Sequence, residues 1–265
     1  MTASISKDKK PDLKSFIYRL AAVAFWILVW EALARYVGSD LIICAPSAAL
    51  KRLFELCTTG GFWSAVAFSS LRILAGFFSA LIVGCVSASL SAKFSLIKIL
   101  LHPITSVIKA TPVASFIILA IIWFGSRNLS MFISFLMVFP VIYLNVLGGI
   151  ESADPKLLEM ARVFKIGRLR TLIYIYFPEV LPFLASGCSV ALGLCWKSGV
   201  AAEVIGISSG SVGERLYKAK LYFETGDLLA WTAVIIIVST LFEKLFMLLL
   251  GLLSRKIGGV KNDRA

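Results

Sequence analysis

The sequence predicts an all-α integral membrane protein with six transmembrane helices and both termini on the inner side. Three observations carry this. Hydrophobic residues make up 59% of the 265 and charged residues 16%, against about 45–50% and about 25% in an ordinary soluble domain. Mean hydropathy is +0.90, too apolar for a chain of this size to cover itself with polar surface. Long runs free of any charge recur along the chain, as at 73–92 and 128–150. A net charge of +12 would suggest nucleic acid in a soluble protein, but membrane proteins concentrate basic residues in cytoplasmic loops. No nucleic-acid partner is therefore expected.

The elements follow in order, each span needing about 20 mostly apolar residues. A cytoplasmic tail, 1–14, carries Lys7, Lys9, Lys10 and Lys14. The first span, 15–37, is the weakest, with a clean run only from Leu20 to Trp30. Its basic flank and Ala32-Leu33-Ala34 also fit a signal peptide. Glu31 is a poor residue beside a cleavage site, however, and Trp26 and Trp30 suit an interfacial belt, so the segment is read as a retained helix. Glu31 and Arg35, four apart, can pair. Further spans are read at 70–92, 102–124, 128–150, 180–205 and 228–254, followed by a basic tail, 255–265. With the N-terminus inside, the inner segments hold 16 Lys and Arg and the outer ones 7, which supports N-in and C-in.

The inner segment 151–172 is long and polar. Asp154-Pro155 reads as an N-cap followed by proline at the first helical position. Leu157, Leu158, Ala161 and Phe164 would then form one apolar face, suited to a lipid surface or a partner protein. The outer segment 207–226 leaves room for a small helix near Leu216–Phe223. The five cysteines show no metal or redox spacing, and one histidine, His102, makes no His-based metal site; no cofactor or metal is expected. No G-x-x-x-x-G-K-[ST] run is present, so the usual loop for cradling ATP is missing.

From Glu159 the chain reads E-M-A-R-V-F-K-I-G-R-L-R-T-L-I-Y-I-Y-F-P. This resembles the "EAA" loop of permeases from bacterial binding-protein-dependent ABC importers: Glu-Ala-Ala, three residues, Gly, nine residues, Ile, any residue, Leu-Pro. Glu159, Ala161, Ile175 and Pro178 fall on their places. Met160 replaces the first Ala and Phe177 the Leu. Lys165 stands where the Gly belongs, with Gly167 two residues on, so a shifted turn would rest on Gly167. The stretch 40–255 is similar to the nitrate/sulfonate/taurine branch, through Ala45-Pro46-Ser47, the run from Ser69 to Phe77, Pro103, Lys109-Ala110-Thr111-Pro112, Ile122-Trp123-Phe124-Gly125, Phe139-Pro140, Asn145, Gly148, Ala202-Glu203 and Gly206.

The resemblance implies a permease in the bacterial inner membrane that pairs with a second copy of itself. Two ATP-binding subunits would hydrolyse ATP, so this chain is not itself an enzyme. A soluble, extracytoplasmic substrate-binding protein would deliver a small solute, an organic or inorganic anion. It also implies that Glu159, Met160, Ala161, Arg162, Lys165 and Gly167 lie at the ATPase contact. Charges inside spans are functional candidates by default. Lys197 and Glu203 in the fifth span, and Lys109 and Pro112 in the third, are therefore candidates for the translocation pathway. Arg72 and Lys109 also lie near span ends, where snorkelling to the interface is open to them. Pro112 and Pro140 are expected to kink their helices, and Gly187, Gly193 and Gly199 to permit close packing. A stand-alone secondary transporter or channel is the alternative, but the internal repeats that would favour it are not seen. A membrane-embedded enzyme would need clustered His, Asp or Ser–Lys groups, which the spans lack.

Overall fold

A computed structural model describes residues 13–39 and 43–257. The tails expected at 1–14 and 255–265 lie mostly outside this range. Among the described residues every regular element is helical. Five helices are long and apolar enough to cross a membrane, and a bent pair makes a sixth candidate.

The first helix, α1 (Leu13–Val37), is followed by α2 (Pro46–Cys57), which opens with proline at its first position. Glu31 pairs with Arg35 at 2.8 Å, as their spacing predicts. The same carboxylate accepts from the Ser47 hydroxyl at 2.9 Å and the Ser47 amide at 3.2 Å. It thus ties α1 to the first turn of α2, where amides lack helical partners.

Three helices form the centre: α3 (Gly60–Lys93), α6 (Leu129–Glu151) and α9 (Phe177–Gly206). Their shared core includes Ile73, Phe77, Ile133, Ile142, Tyr143 and Leu192. Small residues set the spacing. A Cβ on Gly76 would sit 2.8 Å from Ser134 Cβ and 3.1 Å from the Phe135 amide nitrogen. One on Gly199 would meet Ile73 and Ser134, both at 2.6 Å, and one on Gly187 would meet Asn145 at 2.9 Å. Gly193, expected to act likewise, faces open space. In a bilayer, where apolar burial gives helices no preference for one another, such close approach is what holds them together.

The second span is longer than read from sequence. The 34 residues of α3 extend about 51 Å, well beyond a hydrocarbon core of about 30 Å.

The third span departs furthest. The run 102–124, read as one helix, is two: α4 (Ser95–Ala110) and α5 (Val113–Phe124), bent by 108°. The proline ring at 112 disfavours helical geometry at the residue before it. Thr111 is accordingly extended, at φ −82° and ψ 133°, and Pro112 caps α5 instead of kinking a continuous helix. Pro140, by contrast, stays inside an unbroken α6.

Beyond α6 come α7 (Pro155–Val163) and α8 (Arg168–Thr171), then a π-helical stretch (Leu172–Tyr176) that runs straight into α9. The fifth span therefore begins earlier than residue 180. The Phe177 amide reaches back to the Leu172 carbonyl. This widened turn accommodates Pro178, which has no amide hydrogen to donate and whose ring crowds the carbonyl four residues back. The described residues end with α10 (Val212–Leu221) and α11 (Thr225–Ile257). The short helix expected within 207–226 is α10, begun by Ser211, whose hydroxyl accepts from the Glu214 amide at 3.0 Å.

Candidate functional site

The residues singled out by sequence fall in three places. The first is α7 and the turn after it, at the end of the bundle where α6 finishes. The Asp154 carboxylate caps α7 by accepting from the Lys156 amide at 2.9 Å, with Pro155 next. Of the residues in α7, Ala161 is buried against the bundle. Glu159, Met160 and Arg162 are exposed, and so are Lys165 and Gly167 just beyond. The expected apolar face packs on its own chain only in part: Ala161 is buried and Leu158 half-buried, whereas Leu157 is exposed and Phe164 is 73% exposed, as is Val163 at 77%.

The turn has not shifted to Gly167. Lys165 itself takes the left-handed conformation, at φ 50°, while Gly167 is extended at φ −60° and caps α8. The Ile166 amide bonds the Ala161 carbonyl at 2.8 Å and the Lys165 amide bonds that of Arg162 at 3.1 Å. This pair of bonds ends helices whose next residue is left-handed, usually glycine. Lys165→Gly should therefore stabilise the chain by about 1 kcal/mol, read as a higher midpoint in denaturant titration. An unchanged or lower midpoint would show that the lysine side chain compensates for its backbone strain.

The second place is the opposite end, where α9 finishes. Glu203, read as lining the path or gating it, presents no surface there: it is 0% exposed. Its Oε2 accepts from the Ser69 hydroxyl of α3 at 2.6 Å and from the Gly213 amide of α10 at 3.2 Å. Ser69 in turn accepts from the Val212 amide at 2.9 Å. The carboxylate thus fastens three helices together. The reason is steric as well as polar, since a Cβ on Gly213 would lie 2.7 Å from the Glu203 carbonyl carbon. Sequence reasoning missed Ser69 and Gly213 as partners, which lie 134 and 10 residues from Glu203. Removing the hydroxyl in Ser69→Ala would strand the buried Val212 amide and leave Glu203 Oε2 with the Gly213 amide alone, at a cost of about 2–3 kcal/mol. Unfolding in mixed detergent measures it; a loss below about 0.5 kcal/mol would mean that both groups find other partners.

On the same helix Lys197 is exposed between the buried Trp196 and Ser198. It forms no ion pair among the described residues. It lies six residues before Glu203, about 9 Å along the axis. Val190 and Gly193 share its face, one 61% exposed and the other with open space where a side chain would be.

The third place is the elbow. Lys109 stands exposed in the last turn of α4, and Pro112 is exposed at the break. No hydrogen bond or ion pair joins this pair to Lys197 or Glu203 among the described residues. A cavity of about 270 Å³ opens elsewhere, at the meeting of α2 with the start of α11, lined by Cys44, Ala48, Arg52, Phe223 and Asp227 among others. There the Arg52 guanidinium is held by Asp227 and by Glu55, and the Asp227 bond pushes its pKa further up. In α10 the Lys218 ammonium, 2.8 Å away, holds the Glu214 carboxyl below its usual range.

A glycine-packed bundle of long apolar helices, interrupted by one exposed polar helix on a fixed turn, has the architecture of a multi-pass membrane protein. Residues 73–259 match the family described as binding-protein-dependent transport system inner membrane component, and the chain belongs to that family. It is 26% identical over 244 residues to the taurine transport system permease protein TauC of Escherichia coli (strain K12), covering 89% of this chain and 88% of that one. It is 31% identical over 218 residues to the putative aliphatic sulfonates transport permease protein SsuC of the same strain, covering 78% and 81%. The nitrate import permease protein NrtB of Leptolyngbya laminosa is 26% identical over 205 residues, covering 72% and 71%. Among solved structures, a chain in the crystal structure of a bacterial alginate ABC transporter in complex with an alginate pentasaccharide-bound periplasmic protein superposes with a TM-score of 0.52 at 15% identity, over 94% of this chain and 97% of that one. That likeness concerns the fold. The family is a permease component, not a catalytic subunit.

Proposed function

We propose that this chain forms the membrane path of an ATP-driven importer for a small organic or inorganic anion. Two copies enclose the path, two ATP-binding subunits dock on the inner side, and an extracytoplasmic binding protein hands over the solute on the outer side. In this reading the α7 end faces the cytoplasm, the α10 end faces outward, and both termini lie inside. The basic residues Arg162, Lys165, Arg168 and Arg170 then fall on the side where such residues accumulate.

The observation that carries the reading is α7. A helix capped at its start and locked by a left-handed turn at its end is rigid, yet it leaves Met160, Val163 and Phe164 uncovered. Exposed apolar groups on a fixed polar element suit a partner that needs a lever. The relatives named for taurine, aliphatic sulfonates and nitrate support an anion as cargo.

Lys197 is assigned to the path. It is exposed on the face of α9 shared with Val190 and Gly193, and a lysine at that depth is costly against lipid. The test is ATP-dependent uptake of taurine, an alkanesulfonate and nitrate by the assembled complex in proteoliposomes, with the binding protein added outside. Lys197→Met should lower uptake at sub-saturating solute by about tenfold or more, with assembly intact. Lys197→Arg should keep part of the activity, because charge matters here more than fork geometry. Equal uptake by wild type and the Met variant would remove Lys197 from the path, and uptake of none of the three solutes would remove the anion assignment.

A further inference from the structure

At the α10 end, two arginines stand together with no acid between them. Arg72, on α3, is half-buried. Its guanidinium lies flat over the Phe68 ring, 3.7 Å from the centroid. Its Nε donates to the Arg127 backbone carbonyl at 2.7 Å. These two contacts fix the plane of the fork and leave both terminal nitrogens without a hydrogen-bond partner among the described residues. Arg127, in the turn between α5 and α6, is exposed and close enough to act on Arg72 by charge repulsion. Neither forms an ion pair with any carboxylate among the described residues. Glu203 is the acid that Arg72 feels, but it is buried and its bonded oxygen is taken by Ser69 and Gly213. The first turn of α6, directly after Arg127, carries no acidic residue, and Asn128 does not cap it. The positive end of that helix dipole therefore adds to the two charges.

A half-buried guanidinium fastened to the backbone of a second arginine, at the edge of an apolar belt and paired with no carboxylate among the described residues, is costly unless an anion completes it. A fork held flat, with its outer nitrogens free, matches a planar or tetrahedral oxyanion, to which arginine binds bidentately. The surrounding surface is apolar: Leu71 is 70% exposed and Trp123 73%. We propose that Arg72 and Arg127 form a binding site for an oxyanion group at the α10 end of the bundle. The group is the phosphate of an anionic phospholipid or the head of a small oxyanion solute. The site needs neither Lys197 nor the assignment of the cargo, so it stands apart from the transport reading.

The experiment uses the full chain in its assembled complex, purified in a neutral detergent, with two probes. In one arm, equal amounts of phosphatidylglycerol and phosphatidylcholine are added, and the lipid retained is measured by native mass spectrometry. In the other, thermal unfolding is followed in sodium sulfate against sodium chloride at matched ionic strength. The variants are Arg127→Gln, whose exposed side chain leaves the carbonyl for Arg72 in place, and Arg72→Lys, which keeps the charge without the fork. Retention of phosphatidylglycerol over phosphatidylcholine that falls about fivefold in Arg127→Gln, the loss expected for one cation near a lipid surface, places a lipid phosphate in the site. A sulfate-specific rise in unfolding temperature that vanishes in both variants places a free oxyanion there. Either result, or both, supports the site. Wild type without preference in both arms, or preferences unchanged in both variants, overturns it.

Discussion

Glu159→Lys is expected to abolish solute uptake while the chain stays inserted and folded. Glu159 is exposed on α7 and makes no hydrogen bond or ion pair among the described residues, so its reversal touches nothing inside this chain. Exposed substitutions of that kind stay within about 0.5 kcal/mol in stability. A partner surface complementary to the carboxylate would instead meet a like charge, which costs several kcal/mol at an interface. The ATP-binding subunits should then fail to co-purify, and uptake should fall by at least about a hundredfold. Glu159→Gln, which removes the charge without reversing it, should lie between the two. A Glu159→Lys complex that co-purifies with its ATPases and transports normally would take the coupling role away from α7.

The second large effect is steric. Gly76→Ala should destabilise the bundle by about 3 kcal/mol or more. The added carbon would meet the Met131 carbonyl oxygen and the Phe135 amide of α6 as well as Ser134. Backbone atoms inside a helix cannot rotate aside, so α3 and α6 must separate along their contact. Gly251→Ala is the control: it lies in α11 with nothing within 4 Å of the new carbon. Alanine's better helix propensity should leave that variant unchanged or more stable by up to about 1 kcal/mol. The readout is the fraction folded across a detergent titration. A Gly76→Ala protein as stable as Gly251→Ala would mean that the central helices are packed more loosely than the structure has them.

Much of this was legible beforehand, and the parts that were not share a cause. Charge-free runs reveal apolar helices because hydropathy is a property of each residue alone. Asp154-Pro155 and the Glu31–Arg35 pair were readable because their partners lie within four residues. The break at Thr111 was not. Hydropathy runs straight through it, and the sequence offers Pro103, Pro140 and Pro182 as prolines inside helices that do not break. Burial accounts for one of them. Thirteen residues of α6 are buried between α3 and α9, and that packing holds the helix straight despite Pro140. Pro103 stays inside α4 although that helix buries only two residues, so burial alone does not mark Pro112 as the proline at which the chain bends. The surroundings of Glu203 were hidden for a related reason: the hydroxyl that donates to it comes from a helix 134 residues away. At Lys165 the sequence left two positions open for the turn, Lys165 itself or a shift to Gly167, and the backbone takes the first, with Lys165 at φ 50°.

The sparse packing of α1 bears on the order in which the protein is made. Only 6% of its apolar stretch is buried in the rest of the chain, so as it emerges ahead of the central helices it finds its solvent in lipid and waits for none of them. The central helices are in the opposite position. Gly76 and Ser134 are made well before Gly199 and Glu203. The contacts that lock α3 to α9 cannot close until most of the polypeptide has been delivered. Insertion and tertiary assembly are thus separated in time, and between the completion of α6 at Glu151 and that of α9 at Gly206 α3 and α6 stand in the bilayer as a half-finished bundle. In that interval their exposed small-residue faces are open to membrane chaperones, or to premature pairing with another nascent copy.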